Sequence, residues 1–294
     1  MITKTNIDEG RTFDWGKTSP DYAVYRPGYP ASFYTVLQAV GIGRPGQDIL
    51  DLGTGTGVLA RAFAQRGAHV IGIDIAEEQI VAARQLATQV HLDIHFATCA
   101  AEDAAFPAQS FDIISCGQSW LYFDIQRLIP LVKTWLKPGG KLLLTYLSWL
   151  PRQDPIAQAS EQLILRYNPH WSDADFPGSR TIQHPWSTRD FRLVTYHAYE
   201  EGIPFTRASW RGRIRACRGI GASLVPEEVA RFDQEHNALL GQIAPDTFTI
   251  LHQVWLHVYT PIGDVDMVQA ATVINAVYET LHDHPWPQES RFRR

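Results

Sequence analysis

Apolar residues in the first half of this chain fall in short blocks whose periodicity alternates. Asp48–Leu52 is a compact apolar run, and residues 58–66 repeat apolar positions at helical spacing up to Gly67. Residues 69–75 read as a second buried strand, 77–89 as an Ala-rich amphipathic helix and 91–96 as a third strand. Residues 112–115 predict a fourth strand, 128–136 a helix stopped by Pro138-Gly139-Gly140, and 141–147 a fifth strand. Strands alternating with helices predict a parallel sheet covered on both faces, with ligands beyond the carboxyl ends of its strands. That rim gathers the turn after Leu52, Asp74, residues 100–103 and the segment after Ser115.

The second half is less regular. Residues 151–190 are rich in Pro, Trp and His and predict a helix over 154–167 followed by an irregular lid. Residues 191–200 predict a strand. Arg207, Arg211, Arg215 and Arg218 share one helical face, with Arg213 off it. The stripe reads either as a clamp for an anionic substrate or as a solvated face paired with acids such as Glu227 and Glu228. Residues 226–243 start with Pro and two acids, as a helix should. Residues 248–259 alternate enough to predict the last strand. The tail 264–294 holds an amphipathic helix over 266–281 and a basic end, suited either to covering the site or to self-association.

Composition narrows the class. The chain has 294 residues, 45% hydrophobic and 19% charged, enough for one large or two small domains with a sizeable core. A net charge of −5 gives no bulk attraction for nucleic acid. Cys99, Cys116 and Cys217 lack metal-ligand spacing, so neither a metal site nor disulfides are expected. No apolar run approaches a membrane span and the first residues lead into polar sequence, so the expected location is the cytoplasm.

The candidate chemistry lies in Asp51-x-Gly53-Thr54-Gly55-x-Gly57, a strand end passing through a glycine turn into a helix. A dinucleotide fingerprint requires Gly-x-Gly-x-x-Gly, and Val58 stands where its last small residue belongs. Asp51 also sits poorly beside a pyrophosphate but suits a cationic ligand. S-adenosylmethionine carries a sulfonium and an ammonium and no phosphate, so the turn favours that methyl donor over NAD.

Together with Asp74, Ala101-Glu102-Asp103, Phe111-Asp112, Leu136-Lys137-Pro138-Gly139-Gly140 and the upstream Tyr22-Ala23-Val24-Tyr25-Arg26-Pro27-Gly28-Tyr29-Pro30, this turn resembles the class I S-adenosylmethionine-dependent methyltransferases. Within them it is similar to the group of ubiquinone-biosynthesis and trans-aconitate methyltransferase-like enzymes. The resemblance spans roughly residues 20 to 148. It implies an α/β, Rossmann-like seven-stranded and mostly parallel sheet with helices on both faces and the last strand antiparallel to its neighbours, a helical and irregular substrate cover and a C-terminal helical tail. The implied domain covers 1–263, with the donor core at about 20–148 and the cover at about 151–245; 264–294 is an extension, with formation of homo-oligomers through it one of its two readings and covering the site the other.

The resemblance further implies that Gly53, Thr54 and Gly55 admit the donor's methionine portion and that Asp74, followed by Ile75, bridges the ribose hydroxyls. Ala101 offers its N–H to adenine with Glu102 nearby; because Ala100 replaces the group's Asp or Asn, either Glu102 substitutes or adenine rests on apolar packing. Gly117 and Gln118 flank the reactive methyl, and Cys116 beside them is a candidate donor contact. Tyr22 and Arg26 face the donor or pack an N-terminal arm. Tyr25, Trp120, Tyr122, Trp210, Arg211 and Arg215 are candidate substrate contacts. Leu121 stands where relatives carry His, and no Asn/Asp-Pro-Pro-Tyr motif for a base amine is present, which argues against a nucleic-acid substrate.

The expected activity is in-line transfer of the methyl to O, N or C of a small molecule, dominated by positioning and exclusion of water. No catalytic base is identified: His170, His184, His197, His252 and His257 read as packing or surface residues. A donor-binding protein without catalysis and, less in keeping with Val58, an NAD-dependent oxidoreductase are the alternatives.

Overall fold

The computed structural model describes residues 1–178 and 185–263. The extension 264–294, its helix over 266–281 and His184 lie outside the described residues.

Seven strands form one sheet in the order β3-β2-β1-β4-β5-β7-β6. They are β1 Asp48–Leu52, β2 His69–Asp74, β3 His95–Thr98, β4 Phe111–Gly117, β5 Leu136–Trp149, β6 Phe191–Thr206 and β7 Thr247–Pro261. The first five pair in parallel, with Leu50 opposite Ile71 and Ile114. β7, expected as a strand from its alternation, runs antiparallel to both β5 and β6, as the resemblance implied. The helices are α1 Ser19–Tyr25, α2 Ala31–Ala39, α3 Val58–Ala64, α4 Glu77–Gln89, α5 Ile125–Trp135, α6 Pro155–Tyr167, α7 Arg207–Arg215 and α8 Pro226–Ile243.

Alternation along the strands sorts two cores. Ile49, Ile113 and Leu143 join Leu59 and Phe63 of α3 and Ile80 and Ala83 of α4. Their neighbours Leu50, Ile114 and Leu142 point the other way, onto Leu128, Ile129 and Val132 of α5. Because β2 and β3 lie on one side of β1 and β4 on the other, the chain reverses direction across the sheet between β1 and β4. The crevice beyond the carboxyl ends at such a switch point is where an open α/β sheet takes its ligands.

Several boundaries differ from the periodicity. β3 begins at His95 rather than residue 91, because His91 sits at φ +55 and closes the turn after α4. α5 starts earlier, since the Asp124 carboxylate caps it by accepting the N–H of Gln126 at 3.1 Å. β6 runs on through Gly202 and Pro204 to Thr206, which an edge strand tolerates because Pro interrupts no inner ladder. Among the described residues no helix is long and apolar enough to cross a membrane.

Candidate functional site

The glycine turn leaves β1 directly. Gly53 has φ +64 and Gly57 φ +77, a left-handed region disfavoured for side chains with a Cβ. A Cβ on Gly57 would also come within 2.9 Å of the Phe96 ring. Thr54 donates its N–H to the Ile73 carbonyl at 2.9 Å and its hydroxyl to Asp51 Oδ2 at 2.6 Å. Ser115, opposite Asp51 in the β1–β4 register, donates its hydroxyl to Asp51 Oδ1 at 2.7 Å. Asp51 therefore ties β1, the turn and β4 together. Burial pushes its pKa up to about 6, the two hydroxyl donors work against that rise, and the Asp74 charge adds to it.

At the end of β2, Asp74 accepts the Gly55 N–H on Oδ2 and the Ala76 N–H on Oδ1, both at 2.9 Å. Burial raises its pKa and the backbone donors oppose the rise. Each carboxylate oxygen accepts more than one hydrogen bond, so an acid held this way retains capacity for a vicinal diol. The next residue, Ile75, is 54% exposed at the rim. Glu102 lies in a single helical turn after β3, and its Oε1 accepts the Asp124 N–H. With that oxygen engaged at the start of α5, Ile75, Ala100 and Ala101 give this end of the rim an apolar lining.

These groups open onto a cavity of about 540 Å³, within the range of small-molecule sites. Gly53, Gly55, Asp74, Ile75, Ala101 and Glu102 line its β1–β3 side; Tyr146, Trp149 and Trp255 line its β5–β7 side. Tyr146 and Trp255 are cross-strand partners stacked at 4.0 Å between ring centroids. Gln118 lies between the two sides at φ +63, its N–H donated to the Thr145 carbonyl and its Nε2 to the Leu147 carbonyl at 3.0 Å. A non-glycine residue in that conformation is held by its surroundings, here the end of β5.

The residues singled out in the sequence separate into three groups. Tyr22, Arg26, Gly53, Gly55, Asp74, Ile75, Ala101, Glu102, Gln118 and Tyr122 line the cavity. Asp51 and Thr54 instead border a small recess of about 40 Å³ against the glycine turn, shared with Tyr22 and Arg26. The structure takes the remainder out of the cavity wall. Cys116 is buried in the core against α5, because the alternation of β4 turns it away while Gly117 and Gln118 face the opening. Trp120 is buried and packs on Trp186. Trp210 is fully buried, donating its indole N–H to Ser160 at 2.9 Å. Tyr25, one turn on from Tyr22, packs against α7 beneath the Arg215 guanidinium and is outside the cavity wall. Arg211 pairs with Asp233 and Asn237, and Arg215 with Asp21 and Asp233.

The arginine stripe is thus a structural seam rather than an anion clamp. Its partners are not Glu227 and Glu228 but Asp233, further along α8, and the distant Asp21, with Asp8 and Asp173 for Arg218. Arg213, set aside because it falls off the stripe, faces the cavity instead. Its spacing of three from Trp210 was the available signal, since that is the buried face of α7. Trp15, Tyr146, Trp149, Trp171 and Trp255 also line the cavity without having been marked by any motif. No histidine among the described residues lines it.

Residues 49–140 match the family model described as a methyltransferase domain. Over 101 residues the chain is 39% identical to the ubiquinone biosynthesis O-methyltransferase of Coxiella burnetii, covering 34% of this chain and 43% of that protein. It is 33% identical over 130 residues to the Pseudomonas aeruginosa enzyme of the same name, covering 43% of this chain and 56% of that one. The chain thus spans about half the length of the curated relatives it matches. In fold it is similar to a solved protein from Anaeromyxobacter dehalogenans described as a candidate type II methyltransferase, with a TM-score of 0.52 at 19% identity, covering 80% of this chain and 97% of that one. YjhP from E. coli superposes with a TM-score of 0.50 at 18% identity, over 84% of this chain and 99% of that one. With a matching domain model across the first four strands and the start of the fifth, and the sheet order to go with it, residues 49–140 form a methyltransferase domain similar to those of the class I S-adenosylmethionine-dependent methyltransferases.

Proposed function

We propose that this chain transfers a methyl group from S-adenosylmethionine to a small-molecule acceptor held on the β5–β7 side of the cavity. The observation that carries this reading is the continuity of one cavity from Asp74 and the glycine turn, past Gln118, to Tyr146, Trp149 and Trp255. One ligand fits the polar side, and space remains beyond Gln118 for a second.

The bound donor supplies a methyl on a sulfonium, open to in-line displacement by an O, N or C nucleophile. Asp74 accepts from the ribose hydroxyls while its own backbone donors keep it oriented. Ile75, Ala100 and Ala101 give the base an apolar seat. Arg26, stacked over Tyr22 at 5.3 Å from the ring centroid, meets the carboxylate of the methionine portion beside the recess at the glycine turn. Asp51 places a negative charge behind that turn, in keeping with a cationic ligand. The aromatic walls exclude water and hold the acceptor in line. Tyr146 does not act as a base at neutral pH, because burial raises its phenol well above the ordinary range. Asp173 is committed to Arg218. The chain's contribution is therefore positioning, with the acceptor's own acidity deciding its nucleophilicity.

Calorimetry with S-adenosylmethionine and S-adenosylhomocysteine, followed by transfer of labelled methyl to a panel of small acceptors, tests this reading. Micromolar donor binding with transfer to any acceptor supports it. Donor binding without transfer to any of them favours a non-catalytic donor-binding protein, and absence of donor binding overturns both.

A further inference from the structure

Among the described residues, Arg213 is a buried cation at the cavity wall with no counter-charge. Arg213 is 4% exposed, and its Nε and Nη1 have no hydrogen-bond partner. Its guanidinium lies 4.8 Å from the Trp149 ring centroid. The ionisable groups acting on it are Arg26, Cys217 and Tyr22, and none is a carboxylate. The acids that line the same cavity are held elsewhere: Asp74 by backbone N–H groups, Glu102 by the Asp124 N–H, Asp173 by Arg218. Neighbouring Arg218, equally buried, shows the contrast, since Asp8 and Asp173 both pair with it. A buried guanidinium without hydrogen bonds is costly, and burial together with Arg26 pushes the Arg213 pKa down to about 9. Such a cost at a cavity wall is repaid when a ligand brings the missing anion.

Resting on the donor reading above, we propose that Arg213 receives the carboxylate of the methyl acceptor, and that the acceptor is a planar molecule carrying that acid. Two sources of carboxylate are available, the acceptor and the donor's own methionine portion. Arg26 borders the recess at the glycine turn, where the methionine portion belongs, and Arg213 does not. Arg213 instead stands with Trp149 and Trp171, near the stacked Tyr146 and Trp255. A guanidinium offers a carboxylate two parallel N–H donors, and flat aromatic walls suit a flat body better than a flexible chain. Trp149 is itself fixed, its indole N–H donated to buried Glu161 at 2.6 Å, so the guanidinium rests on a rigid face.

The test begins with the full chain saturated with S-adenosylhomocysteine, probed by calorimetry with benzoate, 4-hydroxybenzoate and cinnamate and with the matching neutral amides. At least one carboxylate should bind, its amide at least tenfold more weakly. Arg213→Met should abolish that preference, leave S-adenosylhomocysteine affinity within twofold, and raise the Tm of the ligand-free protein by removing the unpaired charge. Should Arg213→Met not fold, Arg213→Lys keeps the charge without the fork and should weaken the carboxylate about tenfold. Equal binding of acids and amides, or binding of no carboxylate, overturns the proposal. Loss of S-adenosylhomocysteine affinity in the Arg213 variants also overturns it, by giving this arginine to the donor. Failure of the wild-type chain to bind S-adenosylhomocysteine overturns the donor reading itself, and is seen before any carboxylate is added.

Discussion

The carboxylate of Asp74 accepts the backbone N–H of Gly55 at 2.9 Å, so the acid ending β2 and the turn leaving β1 form one continuous wall. Asp74 therefore keeps the turn in place and, in the proposed reading, also faces the donor's ribose. Asp74→Ala removes both. It should weaken S-adenosylhomocysteine binding by about 30-fold or more, the equivalent of roughly 2 kcal/mol for charge-assisted hydrogen bonds. Asp74→Asn keeps one carbonyl acceptor and should fall between wild type and Ala. Calorimetry on variants whose Tm shows them folded checks the order, and unchanged affinity in Asp74→Ala would remove the ribose assignment.

Asp51 predicts an unusual pH response. Its carboxyl is raised from 3.8 to about 6 in the fold. A raised acid binds its proton more tightly when folded, so its stabilising contribution is complete below the unfolded value and is lost as pH rises through about 6. By neutral pH the ionised, buried group costs on the order of 2–3 kcal/mol relative to a neutral one. Asp51→Asn keeps the shape: one of the Thr54 and Ser115 hydroxyls still donates to the amide oxygen, and the other turns to accept from the amide nitrogen. Its Tm should exceed that of wild type at pH 8 and converge with it near pH 4. Thermal unfolding across that range decides, and a variant less stable at pH 8 than at pH 4 relative to wild type would sink the idea.

The donor side of this molecule is legible in its sequence because the determinants are local. A strand period followed by glycines at 53, 55 and 57 already describes a backbone that turns through positive φ, and the structure has it there. The acceptor side is not legible for the opposite reason. Charge and spacing placed Arg211 and Arg215 on a stripe, but only the fold brings Asp21 and Asp233 to them and leaves Arg213 without an acid among the described residues. Cys116 and Gln118 are two residues apart and would share a face in a regular strand. Gln118 lies beyond the end of β4, with its backbone at positive φ, and that break in the pleat is what brings it to the cavity.

Arg211 joins α7 to α8 through Asp233 and Asn237 and does not line the cavity. Arg211→Ala should lower stability by about 1–2 kcal/mol, the range for a partly buried pair with hydrogen bonds. Affinity for S-adenosylhomocysteine should stay within twofold. Denaturant unfolding and calorimetry on the same sample separate the two effects. A large loss of affinity at unchanged stability would return this arginine to the binding site.

Gly212 sets how closely α7 approaches α1, because a Cβ there would overlap the Tyr25 ring. Tyr22 and Arg26 of that segment, and Arg213 of α7, all line the cavity, so the helix spacing also sets the distance between the two guanidiniums. Gly212→Ala should therefore cost about 1–3 kcal/mol of stability as an overpacked contact and weaken donor binding by displacing Arg26. If the overlap with Tyr25 is the cause, Tyr25→Leu should relieve it. The double variant should then recover much of the stability and affinity lost in Gly212→Ala, a coupling opposite in sign to simple addition. Tyr25→Leu alone should leave S-adenosylhomocysteine affinity within twofold, since the ring lies outside the cavity wall. Additive losses in the double variant would show that Gly212 acts through the backbone of α7 and not through its contact with α1.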